Sequence, residues 1–378
     1  MKGAGSLYFP EEIVINILKN LPAQSLVRFQ LVCKSWRKII KMPSFLTLHA
    51  DHISGNHEGS ILFHLQRERG LGLHFLEYQD MLVKELPDPF INIPNSLKEV
   101  GIACSSDGVV CLRCPKPPQT SHIYTENLSP PSLICWNPVL LDAALIPPAF
   151  TADFRGMFFV GLCFNPGSVD YKIVMIATDI GVLKIYRAQL YSSTSTGWKE
   201  LSLDPLKVIK GLCMLRYHTV STKGSMYWLG SHGKIIAFNT TSENFSLIDM
   251  PSGKLDPLSC RLSVFRTNLC MLFDSSYGRG EIEWWLRDSE SWVEKSTKRP
   301  PALHLCPIDI GKHNMLCFLN APRYDNQRSR VCSFMMLDLS TLSHKRFDVE
   351  SKTFYVVQHI QTLLPVGGKK KRCKIWTC

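Results

Sequence analysis

The sequence of 378 residues has no run approaching the length of about eighteen apolar residues that a membrane-spanning helix requires. Its first ten residues, MKGAGSLYFP, also lack the apolar core of a secretory signal. These two absences predict a soluble protein without a membrane partner. We expect it inside the cell, in the cytoplasm, the nucleus or both.

Signatures of common catalytic sites are missing as well. The sequence contains no HExxH, no GxSxG, no phosphate-binding glycine loop and no cluster of paired carboxylates. One CxxC is present at Cys111 and Cys114, but a zinc site of this kind needs a second pair. Residues three apart in a strand also point to opposite faces. We therefore predict no catalytic residue, no bound metal and no cofactor.

Cysteine and histidine are present, but without the spacing of a site. The fourteen cysteines are spread over a chain that is rich enough in apolar residues to form a core without disulfides. We expect most of them to be reduced core residues. His49, His52 and His57 fall in a polar stretch and are predicted to be solvated linker residues rather than metal ligands.

The excess of positive charge is confined to two short segments. Residues 1–50 contain seven Lys or Arg and two acidic residues, and residues 366–378 contain five Lys or Arg and no acidic residue. The other 315 residues have 31 basic and 30 acidic side chains. Because a nucleic-acid-binding domain normally carries a basic patch on its folded body, we predict no nucleic-acid partner. A basic helical segment suits an acidic protein partner instead.

The first basic segment has the pattern of three short helices. Pro10 suits the first position of a helix, and the two acidic residues after it lie where the helix dipole favours negative charge. Apolar spacings of three and four predict a first helix that ends at Leu21 and two more over residues 25–31 and 32–40. Three helices this short are not stable alone, so the module needs another surface to pack against.

The elements FPEEIVINILKNLP, SLVRF and VCKSWRKII occur in this order within residues 9–40. Together they resemble the F-box, a module that docks onto a Skp-type adaptor of a cullin ubiquitin ligase. The family usually begins with Leu-Pro, whereas this chain has Phe9 before its proline, which keeps a large apolar residue. The resemblance implies adaptor contacts by a set of mostly apolar residues. These are Phe9, Pro10, Ile13, Ile17, Leu18, Leu21, Pro22, Leu26, Val32, Cys33 and Trp36.

From about residue 58 the apolar period changes from helical to alternating, and short segments such as SILFHL, YKIVMIA and SMYWLG are separated by turn residues. This pattern predicts an all-β domain. An aromatic residue that follows a polar turn and opens a strand recurs at intervals of 47, 47 and 55, at Trp198, Phe245, Trp292 and Phe347. Two further repeat ends are predicted near residues 86 and 145. Such repeats predict a β-propeller of about six blades, while five or seven blades, or a sandwich with coincidental spacing, are alternatives.

Successive segments between about residues 100 and 350, among them SSDGVVCL, CWNPVLLDAALIPP and EIEWWLRDSESWVEKS, resemble the F-box-associated domain of plant F-box proteins, a divergent relative of kelch repeats. The predicted fold is α+β and multidomain, with a small three-helix F-box before an all-β, propeller-like domain. The predicted boundaries are 1–50 for the F-box, 51–365 for the propeller and 366–378 for a basic tail. The segment TFYVVQHIQTLL is predicted to complete the blade that begins near residues 58–86.

The resemblances imply a non-catalytic receptor subunit of a Skp-cullin-F-box ubiquitin ligase, which binds the adaptor, and through it cullin, at one end and a protein substrate at the other. Two alternatives stay open. One is a propeller that binds a ligand or acts as an enzyme, and the other is an F-box protein that acts outside a ligase. The tail GGKKKRCKIW is compatible with a nuclear import signal or with a basic chain end that aids solubility.

The substrate is predicted to bind the loops between the second and third strands of the blades, because long loops on a rigid scaffold commonly carry recognition. The alternative is that these loops are tolerated insertions. The predicted loops are 67–72, 114–131, 178–181, 230–233, 275–280 and 320–330. The residue types that anchor interfaces are well represented in them. The candidate substrate-binding residues are Lys116, His122, Tyr124, His232, Tyr277, Arg279, Tyr324, Arg328 and Arg330.

Overall fold

A computed structural model of the chain shows helices followed by strands. The residues it describes are 9–56, 60–66, 71–77, 83–85, 101–114, 130–150, 156–165, 167–179, 184–251, 260–265, 267–273, 281–288, 290–298, 305–310, 315–324, 330–338, 341, 343–350 and 354–367.

The N-terminal part is helical, as its apolar spacing predicts. The helices are α1 Glu11–Leu18, α2 Ala23–Phe29, α3 Lys34–Ile40 and α4 Pro43–Asn56. The first helix ends at Leu18 rather than at Leu21, because the three residues after Leu18 form turns whose N–H groups bond back to the carbonyls of residues 15–18. The fourth helix is not predicted by the sequence, and it extends past residue 50, the predicted boundary between the F-box and the β-domain.

Helix α4 overturns the prediction for one of the three histidines. His49 is fully buried, and its Nε2 lies 2.9 Å from the carbonyl oxygen of Leu21. Its ring also stacks on Phe45, with 6.0 Å between ring centroids. His49 is therefore a core residue of the helical part and not a solvated linker residue. His52 is half-buried, and His57 lies outside the described residues.

The rest of the described chain is almost entirely β-structure, apart from the short helix α5 Asp204–Lys207. The first twelve strands are β1 Ser60–Gln66, β2 Leu71–Glu77, β3 Val83–Glu85, β4 Gly101–Ser106, β5 Val109–Cys114, β6 Ser132–Asn137, β7 Asp142–Ile146, β8 Met157–Phe164, β9 Tyr171–Thr178, β10 Ile185–Ser192, β11 Trp198–Glu200 and β12 Met214–Thr222. The other twelve are β13 Ser225–Gly230, β14 Lys234–Asn239, β15 Asn244–Asp249, β16 Cys260–Phe265, β17 Asn268–Phe273, β18 Glu281–Asp288, β19 Ser291–Lys298, β20 Leu305–Ile310, β21 Met315–Tyr324, β22 Arg330–Asp338, β23 His344–Glu350 and β24 Phe354–His359.

These strands form six antiparallel sheets of four strands each. Sheet 1 has the order β24-β1-β2-β3, and sheets 2 to 6 each contain four consecutive strands, from β4–β7 to β20–β23. The first strand of every sheet contacts the first strand of the next, and the contacts form a closed circuit through β24, β4, β8, β12, β16 and β20. The prediction that the C-terminal segment completes the first unit is confirmed, because β24 pairs with β1.

The aromatic repeat marks the outermost strand of successive sheets. Trp198, Phe245, Trp292 and Phe347 lie in β11, β15, β19 and β23, and the two repeat ends predicted near residues 86 and 145 correspond to β3 and β7. Trp198 Nε1 donates to the carbonyl oxygen of Pro147 at 2.7 Å, and Trp292 Nε1 donates to that of Asp249 at 2.8 Å. Each tryptophan thus ties its own outer strand to the end of the outer strand in the preceding sheet.

Apolar cores lie between neighbouring sheets, as between sheets 2 and 3 and between sheets 3 and 4. Cys104, Cys111 and Cys135 occupy facing positions on three adjacent strands of sheet 2 and are fully buried free thiols. Burial raises the pKa of the Cys104 and Cys135 thiols, which keeps them neutral. Cys114 is buried as well. Within the described ranges no group of three or more potential ligands could hold a metal ion, and no helix is long and apolar enough to span a bilayer.

The strand directions divide the β-domain into two sides. Helix α4 precedes β1, and β24 ends at His359, which pairs with Ser60 at the start of β1. In an antiparallel sheet the connections between strands one and two and between strands three and four lie at the same end of the strands. We call this end, where the helices lie, the helix side. The connections between strands two and three, and from sheet to sheet, lie at the opposite end, which we call the far side.

Candidate functional site

Six large apolar side chains of the helical part are exposed, and five of them lie at α1 or in the turn between α2 and α3, the sixth being Leu48 of α4. Ile13 and Ile17, which are 46% and 53% exposed, lie four residues apart on one face of α1, and Phe9, two residues before the helix begins, is 60% exposed. Leu31 and Val32, in the turn between α2 and α3, are 77% and 61% exposed. We call these five residues the exposed apolar set. Such a concentration of uncovered apolar residues in one small module is typical of a surface that another protein covers.

The helical part forms its own core beneath this surface. Leu18 and Leu26 are fully buried in a cluster with Ile39, Ile40 and Phe45. The first two are among the residues predicted to contact an adaptor, and their burial corrects that prediction. In this conformation they can support the docking surface, but they cannot touch a partner.

The other predicted adaptor-binding residues lie at or near the surface. Pro10, Pro22 and Cys33 are exposed, and Leu21 and Trp36 are half-buried. Cys33 caps α3, because its sulfur accepts a hydrogen bond from the backbone N–H of Trp36 at 3.4 Å. The prediction omitted Leu31, although an apolar residue between the end of one amphipathic helix and the cap of the next is a signal that could have identified it.

The helical part carries an excess of positive charge. Five basic residues of the helical part are exposed, namely Arg28, Lys34, Arg37, Lys38 and Lys41. The only acidic residues between positions 9 and 50 are Glu11 and Glu12, in the first turn of α1. The helical surface is therefore rich in apolar and basic side chains, which favours a partner with apolar and acidic groups.

Comparison with protein families assigns both parts of the chain. The family described as F-box associated beta propeller domain matches residues 124–318, which are 195 of the 378 residues, and the F-box domain family matches residues 7–48. This chain is an F-box protein. Its β-domain belongs to the F-box associated beta propeller family, and both resemblances seen in the sequence are confirmed.

Relatives of this F-box protein occur in Arabidopsis thaliana. An F-box protein from that plant is 25% identical over 94% of this chain and 96% of its own length. An F-box/LRR-repeat/kelch-repeat protein is 25% identical over 80% of each chain, and the F-box protein CPR1 is 22% identical over 91% of this chain and 82% of its own. Among solved structures, the WD40 domain of SCAP from fission yeast covers 77% of this chain at 10% identity with a TM-score of 0.35, a similarity too low to bear on the fold.

The predicted substrate-binding loops of this F-box protein share one position in the topology. Each lies in sequence between the second and third strands of a sheet, and the strand ends on either side of it lie at the far side. His232 lies in the turn between β13 and β14 with φ of 58°, and its Nδ1 is 2.7 Å from the hydroxyl of Ser231. Six of the predicted residues lie outside the described residues: Lys116, His122, Tyr124, Tyr277, Arg279 and Arg328.

The last of these loops is shorter than predicted. Strands β21 and β22 remain paired as far as Tyr324 and Arg330, which face each other across the two strands. Residues 320–324 and residue 330, predicted as loop, are therefore strand residues. The alternation of apolar residues weakens in this stretch, and a register shift between Asn320 and Arg323 explains why the sequence conceals the strand.

The sequence-based prediction missed one segment on the far side. Helix α5 lies in the connection from sheet 3 to sheet 4, and Val208 just after it is 82% exposed. This connection contacts the His232 turn, because Ser231 N–H donates to the carbonyl of Cys213 at 2.9 Å and Cys213 N–H donates to Ser231 Oγ at 3.0 Å. The proline at the start of DPLK, directly after an acidic residue, was a helix-start signal that could have revealed it.

Proposed function

We propose that this protein is the substrate-recognition subunit of a Skp-cullin-F-box ubiquitin ligase, working in the cytoplasm or the nucleus. Its helices bind the Skp-type adaptor, and the far side of the β-domain binds the protein to be ubiquitinated. In this role the protein performs no bond chemistry. It holds the substrate next to a charged conjugating enzyme, so that lysine attack occurs at high local concentration.

The exposed apolar set carries this proposal. The helical part buries an apolar core, yet Phe9, Ile13, Ile17, Leu31 and Val32 remain exposed. Full burial of an exposed side chain of this size contributes about 1.5 to 3 kcal/mol, and a partner that covers these partly exposed side chains gains a part of that. The excess of exposed basic residues in the helical part favours an acidic partner, which the Skp family provides.

The test replaces one member of the set in the full-length chain, co-expressed with a Skp-type adaptor and cullin. Ile17→Asp places a charge where apolar contact is expected, and because Ile17 is 53% exposed the fold should tolerate the change. We expect loss of adaptor and cullin from the purified complex. The matched control is Leu145→Asp, since Leu145 is 60% exposed on the outer strand β7 of the β-domain.

The control is expected to retain both partners. Retention of the adaptor by Ile17→Asp at the wild-type level would refute the proposed docking surface. Retention of the adaptor without cullin in the wild-type protein would instead favour an F-box protein that acts outside a ligase.

We further propose that the six sheets are the blades of one closed six-bladed propeller. The circuit of contacts among the six first strands supports this count, as does the pairing of β24 with β1, which joins the two ends of the domain in one sheet. In a closed ring of blades, every first strand has a neighbouring first strand on both sides.

The far side is proposed as the substrate-binding face because the helices occupy the other side. We expect Val208→Asp combined with His232→Ala to reduce ubiquitination of bound substrates while adaptor binding is retained. Thr241→Arg is the control, because Thr241 is exposed in the turn between β14 and β15 on the helix side. Equal loss of ubiquitination in the control would place the substrate on the helix side instead.

A further inference from the structure

The eight residues after β24, Ile360–Gly367, form an extended segment that lies against the helix side. We call this segment the C-terminal strap. Four of its residues, Thr362, Leu363, Leu364 and Val366, are at most 2% exposed. A segment that belongs to no sheet and is nevertheless this buried must have its backbone groups satisfied by specific partners.

Sheet 2 supplies most of those partners. The side-chain Nδ2 of Asn137 donates to the backbone carbonyl oxygens of Thr362 at 3.1 Å and Leu364 at 2.8 Å. The carboxylate of Asp142 accepts from the backbone N–H groups of Val366 at 3.2 Å and Gly367 at 3.1 Å. Because both sheet residues bind the backbone of the strap, they fix its path whatever side chains it carries.

Two further hydrogen bonds hold the strap in place. The Thr362 hydroxyl donates to the carbonyl oxygen of Asp107, in the turn between β4 and β5. The Tyr171 hydroxyl of sheet 3 donates to the carbonyl oxygen of Val366 at 2.9 Å. The strap is thus tied to both of the sheets that lie beneath the helices.

The side chains of the strap are divided between two cores. Leu364 and Val366 belong to the core between sheets 2 and 3. Leu363, which is 2% exposed, belongs instead to the core of the helices, together with Leu18 and Leu26. The helical core therefore contains a residue more than 300 positions beyond the end of α4 at Asn56.

We infer that Leu363 is a positioning residue of the adaptor-docking surface, and that the C-terminal strap is a structural part of the F-box module. Leu18 lies in α1, the helix that also carries Ile13 and Ile17, and it packs in the same cluster as Leu363. Because a helical module this small is marginal on its own, the loss of one core residue loosens the helix that presents the docking face. The binding consequence rests on the proposed function, whereas the structural consequence does not.

The first experiment measures backbone amide hydrogen exchange in the full-length protein without an adaptor. Leu363→Ala should accelerate exchange in α1 to α3 by at least about 30-fold, which corresponds to about 2 kcal/mol for a buried leucine. Leu162→Ala is the matched control, because Leu162 is fully buried in the core between sheets 2 and 3. It should accelerate exchange in those sheets and leave α1 to α3 unchanged.

The second experiment measures adaptor affinity for the same variants. Leu363→Ala should weaken binding by about 10-fold or more, and Leu363→Met should restore it, because methionine has nearly the same volume. Leu162→Ala should bind as the wild type does. If Leu363→Ala does not fold, Leu363→Val provides the same comparison with a smaller cavity and a smaller change.

Unchanged exchange in α1 to α3 of the Leu363→Ala or Leu363→Val protein would overturn the inference. So would faster exchange accompanied by wild-type adaptor affinity, because the strap would then be structural only. If the wild-type protein itself does not bind an adaptor, the proposed function fails, and the exchange result still decides whether Leu363 holds the helices.

Discussion

At the scale of single residues, Gly108 shows how closely the C-terminal strap approaches sheet 2. Its φ is +84°, and a Cβ placed on it would lie 2.3 Å from the hydroxyl oxygen of Thr362 and 2.7 Å from the backbone nitrogen of Thr362. Glycine is therefore required here twice, once for the left-handed backbone and once for the space. Gly233 also has a positive φ, of +64°, but a Cβ there would meet nothing within 4 Å.

These two glycines form a matched pair for a stability measurement. Both Gly108→Ala and Gly233→Ala incur the cost of a left-handed alanine, about 1 to 2 kcal/mol. Gly108→Ala also pushes against the strap, so its free energy of unfolding should fall further, by about 1 to 3 kcal/mol. Chemical denaturation of both variants measures the difference. Equal losses of unfolding free energy in the two variants would show that the strap shifts at this point without an energetic cost.

His359, at the end of β24, should make stability depend on pH. Burial lowers its pKa from 6.5 to about 3, and its Nδ1 lies 2.9 Å from the hydroxyl of Ser105. Between these pH values the unfolded chain binds a proton that the folded protein does not. Stability therefore rises with pH across this window and is lost as the pH falls through it.

The measurement compares the wild type with His359→Gln. The free energy of unfolding of the wild type should change with pH between about 3 and 6.5 more steeply than that of the variant, by up to about 1.4 kcal/mol per pH unit. Taking the difference removes the contribution of the other titrating groups. Parallel curves for the two proteins would show that His359 is not held neutral.

At the scale of elements, the aromatic repeat has a physical role that its spacing alone does not reveal. Trp198 and Trp292 each donate a hydrogen bond to the preceding sheet, whereas Phe245 has no donor and packs on Phe238 at 5.1 Å. Trp292→Phe should reduce the free energy of unfolding by about 1 kcal/mol, because one net hydrogen bond is lost. Adding Trp198→Phe should double the loss, since the two sites are separate. Denaturation of the single and double variants measures this, and wild-type stability in both would show that the bonds contribute nothing.

The same elements show how far the sequence could be interpreted. Local patterns identified the helices after Pro10 and the outer strands that carry the aromatic residues, because periodicity and turn residues act over a few positions. They could not place His49 in a core, because its ring lies against the carbonyl oxygen of Leu21, which is 28 positions earlier in the chain, in the turn after α1. Nor could they show that Leu18 and Leu26 face inward while Ile13 and Ile17 face outward, because one broad apolar stripe supplies both faces.

The contacts of the strap were beyond any local pattern. Leu363 meets the helices, and Asn137 meets the strap, only after the whole chain has folded. The pairing of β24 with β1 was predictable because an open sheet edge needs a partner. No comparable rule assigns the side chains of the strap to one core or the other.

At the scale of the whole molecule, β24 and the strap join the two ends of the β-domain to the helices. Deleting residues 354–367 removes the first strand of sheet 1 and leaves the edge of β1 unpaired. We expect aggregated protein, because exposed strand edges pair with other chains. Size-exclusion chromatography measures this, with deletion of residues 368–378 alone as the control. A soluble monomer with a cooperative thermal transition from the larger deletion would contradict the expectation.

The position of Leu363 also sets an order of events during synthesis. The F-box sequence leaves the ribosome before the strap does, and Leu363 of its core is translated about 15 to 60 seconds later at ordinary elongation rates. A nascent or prematurely terminated chain therefore displays α1 without its full support and should recruit the adaptor poorly. Stalled chains that end before residue 363 should be captured by the adaptor less efficiently than stalled chains that have exposed the strap. Under the proposed function, only chains whose β-domain has been made in full would then enter a ligase.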